Sequence, residues 1–453
     1  MSYDCLVIGA GPGGIAAAKA LAKAGRKTAV IEDAQWGGTC LNRGCIPTKM
    51  LLGATASVEL AHAQERVRVS KGAAEVDFTA LRTRIDRFLK GSSQAVGKAM
   101  KEMGIDLVQG RGSLLSANKV LVEAPDGTKE LEAADIILAT GSSNSSFPAL
   151  TPDGDAVLDS TGLLQLASIP QSLIVVGAGA IGLELGHFYS CMGTKVTIVE
   201  GASHIAPLED ADIADELRKI LKKAGTACIE GVFAKSLTTE DGQAKLVMAD
   251  GRELTAEKAL VATGRKPNTA GLGCEKAGIT LNKPGYIVTN DYLEACPHVY
   301  AVGDVNGRVL LAHAAEHQAR YAAARILGKT DAPYVQGPVP SCYYGLEIMH
   351  IGESVASLQK QGKTNIFVSK VPMSLNPIAQ SHAATGGFVK AVWDGDTLAG
   401  MSAIGHDVSH LVSLAQMFIL TRQTPETIGS LMIAHPTLDE ILVAAILAPK
   451  TAV

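Results

Sequence analysis

Apolar runs of membrane length are missing from this 453-residue sequence: none approaches the ~20 residues needed to cross a bilayer. An excess of one charge sign is missing as well. Lysines and arginines number 41 against 45 aspartates and glutamates, the formal net charge is −4, and the signs are interspersed. That balance argues against nucleic acid or an anionic membrane as the main partner. Met1-Ser2-Tyr3-Asp4 carries no basic n-region, so no secretory signal is expected. Cysteines are sparse. There are eight, scattered except for Cys40 and Cys45, and none follows Cys342. This usage fits a reducing, cytoplasmic location, where an isolated disulfide is usually catalytic. With 47% hydrophobic and 19% charged residues the composition is that of an ordinary globular protein, and the length exceeds one core, which suggests about three domains.

The densest chemistry is in Gly37-Gly38-Thr39-Cys40-Leu41-Asn42-Arg43-Gly44-Cys45-Ile46-Pro47-Thr48-Lys49. A disulfide needs Cα atoms within about 7 Å, and a regular helix already separates positions five apart by about 7.5 Å. If these cysteines pair, the chain there must bend, which Gly44 permits. So short a loop stabilises a fold little, which favours a redox role over a structural one. Two buried thiols are the plainer alternative.

Two glycine-rich units flank the middle of the chain. Residues 4–8 read as a buried parallel strand, followed by Gly9-Ala10-Gly11-Pro12-Gly13-Gly14, an alanine-rich helix to about Ala24 with Gly25 at its end, and a strand Thr28 to Ile31 ending in Glu32. The glycines allow a pyrophosphate to approach a helix N-terminus, and the acid can accept from ribose hydroxyls. The pattern returns about 170 residues later as Leu173–Val176, Gly177-Ala178-Gly179-Ala180-Ile181-Gly182, a helix, then Val196–Val199 and Glu200. Two such units imply two dinucleotides. Beside a reactive cysteine pair, one of them should be a flavin, which exchanges electrons with both nicotinamide and thiols. The cysteine segment follows the first unit directly, which assigns FAD there and the nicotinamide to the second. Glu200 would repel a 2′-phosphate and no arginine follows in Gly201-Ala202-Ser203-His204, so NAD is expected rather than NADP.

Between and after the units come a helical stretch at roughly 50–104, Gly110-Arg111-Gly112, and a hairpin about Pro125-Asp126-Gly127. The strand-to-turn Ile136-Ile137-Leu138-Ala139-Thr140-Gly141 is repeated as Leu260-Val261-Ala262-Thr263-Gly264-Arg265. Val299-Tyr300-Ala301-Val302-Gly303-Asp304 reads as a further strand ending in an acid, with a helix N-cap as the bland reading of Asp304. Gly337-Pro338-Val339-Pro340 suggests a linker into a last domain, whose tail holds Ala434-His435-Pro436-Thr437-Leu438-Asp439-Glu440. A histidine suits the deprotonation of a thiol near pH 7, and a carboxylate can orient its ring. His313 and His317, and His406 and His410, sit four apart and could share a helix face. Nothing nearby is read as completing a ligand set and the chemistry requires no metal, so none is expected and these are read as ordinary surface or packing histidines.

Taken in order, these motifs resemble the two-cysteine flavoprotein disulfide reductases, the dihydrolipoyl dehydrogenase branch above all, over essentially the whole chain. The resemblance implies an α/β fold with two Rossmann-like, glutathione-reductase-like FAD- and NAD-binding domains and an α+β C-terminal dimerisation domain. The segments would be 1–143 (FAD), 144–264 (NAD), 265–335 (central and second FAD segment) and 336–453 (interface). It implies a redox-active Cys40–Cys45 disulfide, with Cys40 exchanging with substrate and Cys45 against the flavin. Lys49 and Glu184 would pair beside that ring, and His435 and Glu440 would form the base pair, reaching the other subunit of an obligate homodimer. FAD contacts are implied for Gly9, Gly11, Gly14, Glu32, Gly38, Thr39, Lys49, Gly112, Gly141, Asp304 and Ala312. NAD contacts are implied for Gly177, Gly179, Ile181, Gly182, Glu200, Val232 and Gly264. The aliphatic Ile181 favours the lipoyl branch, with a lipoylated carrier protein of a 2-oxoacid dehydrogenase or glycine cleavage complex as partner. Two departures stand out: Ser341-Cys342-Tyr343-Tyr344-Gly345-Leu346-Glu347 lacks the family's Thr-x-Pro-Glu turn, and Arg43 adds a charge between the cysteines.

Overall fold

The computed structural model describes residues 2–72, 75–145 and 147–453. The chain forms two compact units, each assembled from three stretches: Met1–Pro47, Arg82–Ser145 and Gly264–Val335, and Thr48–Leu81, Ser146–Thr263 and Gln336–Val453.

The first unit is built on a mainly parallel sheet. Strand β1 (Ser2–Ile8) lies between β2 (Thr28–Glu32) and the strand Gly127–Leu138, with Val7 opposite both Val30 and Ile137. Asp106–Gln109 extends the sheet beyond β2, and Val299–Ala301 extends it beyond Gly127–Leu138, both parallel. Strands buried on both faces read as unbroken apolar runs, which is why Cys5-Leu6-Val7-Ile8 is fully inside. Helix α1 (Pro12–Lys23) begins with proline where no backbone N–H is needed and ends at Gly25, whose φ of 80° closes its last turn. The cysteine segment is two helices, α2 (Gly38–Arg43) and α3 (Cys45–Arg66), interrupted at Gly44. The helical stretch at 50–104 is made of two helices: α3 stops at Arg66 and a second helix spans Phe78–Glu102. The turn at Pro125-Asp126-Gly127 joins Lys119–Ala124 to Gly127–Leu138 as a hairpin.

Among the described residues of the second unit, two of the buried clusters lie on sheets. One surrounds a five-stranded parallel sheet centred on β3 (Ser172–Val176), followed by helix α4 (Ala180–Cys191) and β4 (Lys195–Glu200). The other lies on a six-stranded antiparallel sheet whose middle is the hairpin β5 (Phe388–Asp394) and β6 (Thr397–Ile404), with Trp393 among its fully buried side chains. Among the described residues no helix is long and apolar enough to cross a membrane.

Candidate functional site

The two glycine turns are built alike, and each glycine has its own reason. Gly9 (φ 104°) and Gly177 (φ 102°) adopt backbone that side chains avoid, and a Cβ on them would lie 2.3 Å from Ala139 O and 2.4 Å from Ala262 O. A Cβ on Gly14 or Gly182 would lie 1.9 Å from the carbonyl oxygen of Gly9 or Gly177. Gly11 and Gly179 differ. Both are extended (φ −76° and −77°), a conformation open to any residue, and a Cβ on either meets no protein atom within 4 Å. Protein packing therefore does not ask for glycine there, whereas a phosphate seated on the helix N-terminus does. The acids follow suit. Glu32 accepts from the N–H groups of Ala10 (2.7 Å) and Ala34 (2.9 Å), and Glu200 from those of Ala178 (2.7 Å) and Ala202 (2.8 Å). Each carboxylate keeps lone pairs for a ribose diol at the open end of its turn. Burial pushes the Glu32 carboxyl up, against the two N–H bonds that pull it down. These residues fit FAD and NAD.

The cysteine segment packs on the first turn. Gly38 (φ 59°) comes so close that a Cβ on it would lie 2.7 Å from the Cα of Gly11. Thr39 and the half-buried Cys40 lie on α2, while the exposed Cys45 opens α3. At the intervening Gly44 a Cβ would approach Thr39 O to 3.1 Å. Pro47 falls in the first turn of α3, where its missing N–H costs nothing. One turn further along α3, Lys49 donates to both oxygens of Glu184 on α4, at 2.7 and 2.8 Å. Glu184 is buried, and Lys49 is about one-third exposed. Tyr344, in the segment that departs from the family pattern, adds two contacts to this pair. Its N–H donates to Glu184 at 3.0 Å, and its ring lies 4.8 Å from the Lys49 ammonium, a cation–π distance. The sequence reading marked Tyr344 only as a departure; its spacing from Lys49 and Glu184 carries no local signal.

His435 is 2.9 Å from Glu440 through Nδ1, and Glu440 also accepts from Thr437 N–H at 2.7 Å. The histidine, then the Thr437 N–H, hold the Glu440 carboxyl below its usual range. A carboxylate only accepts, so Nδ1 carries the proton and Nε2 presents its lone pair from a largely exposed ring.

Other expected positions have local explanations. Asp304 lies in a one-turn helix, Gly303–Asn306, without capping it; its carboxylate accepts from Ser142 Oγ and lies 3.7 Å from Arg265. Arg265, which sequence reading passed over, also donates to Ser142 Oγ and O, both at 2.7 Å. Gly112 is wedged between Ile8 and Ile31, so packing alone accounts for it. Gly141 (φ 69°) and Gly264 (φ 131°) are turn glycines. Ala312 opens the helix that Gly13 packs against, Val232 donates its N–H to Glu200 O, and Ile181 is half-buried on the first turn of α4. His317 is engaged by Tyr334, whereas His406 meets His382 and Asp407 instead of serving with His410.

The pyridine nucleotide-disulphide oxidoreductase pattern matches residues 3–319, and the dimerisation domain of that family matches residues 339–446. In the latter region Met417, Leu420, Leu431 and Met432 are left exposed by the single chain, as a subunit interface requires. A dihydrolipoyl dehydrogenase of Bacillus subtilis is 34% identical over 464 residues, covering 98% of both chains. One from Trypanosoma brucei brucei is 35% identical, covering 98% of this chain and 96% of its own. Among solved structures, LpdA from Mycobacterium tuberculosis superposes with a TM-score of 0.89 at 28% identity over 98% of each chain. The HOCl-induced flavoprotein disulfide reductase RclA from Escherichia coli, as its Cu(II) complex, does so with 0.89 at 27% identity over 98% of this chain and 99% of its own. The chain belongs to the pyridine nucleotide-disulphide oxidoreductases, flavoprotein disulfide oxidoreductases that use FAD and NAD(H) and pair through a dimerisation domain as homodimers.

Proposed function

We propose that this enzyme oxidises dihydrolipoamide, carried on a lipoylated protein of a 2-oxoacid dehydrogenase or glycine cleavage complex, and reduces NAD. The observation that carries the reading is the His435–Glu440 contact, a base with its free nitrogen facing outward, in a chain 34–35% identical to dihydrolipoyl dehydrogenases over nearly its whole length. A thiol must lose its proton to attack, because the thiolate is the nucleophile. His435 Nε2 takes that proton, Glu440 steadies the resulting imidazolium, and by family pattern the disulfide served is the partner subunit's. The substrate sulfur then bonds to Cys40 Sγ as the Cys40–Cys45 bond breaks and Cys45 leaves as a thiolate. The second substrate thiol breaks the mixed disulfide, lipoamide closes its ring, and the enzyme is left with a dithiol. A bound flavin supplies the route by which this electron pair reaches NAD as hydride, restoring the disulfide. By family pattern Lys49, which Glu184 and Tyr344 hold, would offset negative charge on the ring of a bound flavin. Glu200 selects NAD by leaving no room for a 2′-phosphate charge.

A second reading, reduction of another disulfide or of a metal ion, draws on the likeness to RclA. Rates measured side by side with lipoamide, glutathione disulfide and Cu(II), each with NADH and NADPH, separate the two. Cys45→Ser should remove lipoamide turnover while the purified protein stays yellow. Full activity in that variant defeats the assignment.

A further inference from the structure

We propose that His382, His406 and Asp407 form a binding site for one borderline divalent cation of the zinc type. His406 Nε2 lies 2.8 Å from His382 Nδ1 and 3.2 Å from an oxygen of Asp407. The two rings stand at 84° with centroids 4.9 Å apart, so they meet through nitrogens and do not stack. Three donor atoms thus converge on one point. Two imidazoles with one carboxylate suit zinc, copper or iron and do not suit magnesium or calcium, which prefer all-oxygen shells. Tetrahedral Zn–N bonds of about 2.0–2.1 Å put ligand nitrogens about 3.3 Å apart, so the His382–His406 contact need open only by a few tenths of an ångström.

The sheet holds the ligands in place. His382 ends the helix Pro377–Ser381, and Asp407 follows β6, so both loops leave the same end of the β5–β6 hairpin, where Phe388 pairs with Ile404. Gly387 and Gly405 let those loops nearly touch: a Cβ on Gly387 would lie 1.8 Å from Ile404 O, and one on Gly405 2.9 Å from Gly386 O. Asp407 occupies the N-cap position of the one-turn helix Val408–Leu411 with φ 58°, yet its side chain makes no capping bond and turns to His406 instead. Both His406 and Asp407 retain partial exposure, leaving a face open for water as the fourth ligand.

The oxidised holoenzyme, stripped with a chelator and desalted, is titrated with Zn²⁺ and assayed for zinc per chain and for melting temperature. One zinc per chain and a raised melting temperature are expected, with affinity falling at least about tenfold in His382→Ala and in Asp407→Asn, and unchanged in Glu59→Gln. Flavin absorbance and zinc-free melting verify that each variant is folded. Absence of retained zinc in the wild type overturns the proposal. So does stoichiometric zinc that survives both substitutions, which would place the ion at Glu59, His187 and Cys191 or at the redox cysteines.

Discussion

The two dinucleotide turns are nearly superimposable in their internal contacts and unlike in everything attached to them. After Gly14, α1 contributes Ala17, Ala18 and Leu21 to a buried apolar cluster that also takes Ala319, Ala322 and Ala323 from the helix Ala312–Ile326. Small side chains let these helices lie close, with Gly13 set against Ala315. After Gly182, α4 buries Glu184 and His187 in the same part of its helix, and they find Lys49 and Glu59 on α3. The sequels to the second strands differ too. Glu32 leads to the cysteine segment, whereas Glu200 leads to Glu209, Asp210 and Asp212. Asp210 and Asp212 hold the buried Lys390 of β5, each at 2.7 Å. A backbone turn fixed by glycine can therefore be reused while the helix face and the next loop are given separate work. One copy leads into the two cysteines and the other into a charged anchor.

The sharpest way to break this comparison is to fill its shared feature. In Gly14→Ala and Gly182→Ala the new Cβ falls 1.9 Å from a backbone carbonyl oxygen, which no rotamer relieves. If the turns serve different cofactors, Gly14→Ala purifies without flavin, and Gly182→Ala stays yellow but binds NAD roughly a hundredfold more weakly, about 3 kcal/mol. Absorbance spectra and NADH titration of the two proteins decide it, and identical phenotypes would remove the division of labour. Next in size, Glu184→Gln removes the charge opposite Lys49 and should lower lipoamide turnover about 10- to 100-fold with flavin retained, equivalent to about 1–3 kcal/mol. Steady-state rates read against flavin content test this. Glu200→Ala should reduce the preference for NADH over NADPH by about tenfold, the scale of lifting a like-charge clash, as measured by the ratio of kcat/KM values.

The smallest effect concerns the anchor. Burial alone would raise the Asp212 carboxyl, but Lys390 and Lys370 outweigh it and hold the group below its ordinary value. A depressed folded-state pKa contributes stability that is present above the unfolded value of about 3.9 and is lost as pH falls through the folded one. Asp212→Asn should therefore melt lower at pH 7 by about 1 kcal/mol, with the gap closing in acid. A gap that persists at low pH would show that packing, and not charge, joins these residues.

Local signals made much of this legible in the sequence. Strand, glycine turn, helix, strand and acid occupy about 30 consecutive residues, and each step has a propensity behind it. The cysteines, and His435 with Glu440, are near neighbours in the chain, so spacing and chemistry draw the eye to them and the family resemblance supplies their roles. What escaped was chemistry assembled across the sheets. Tyr344 meets Glu184 from 160 residues away, Lys390 meets Asp210 from 180, and His382 meets His406 from 24. No periodicity links such pairs. The i, i+4 rule points His406 at His410, but His406 lies in the turn between the strand ending at Ile404 and the one-turn helix Val408–Leu411, so the two do not share a helix face. The break after Arg66 has local signals that the reading of 50–104 did not use: Gly72 with φ 94° and Asp77, which accepts from Ala80 N–H ahead of the second helix.

Gly11 and Gly179 occupy backbone that any residue tolerates and face space that no protein atom fills. Folding and cofactor loading are thus separable by a single methyl group at either position. A subunit emptied in this way and assembled with an intact one would give a lopsided dimer, in which the share of turnover owed to each half can be counted.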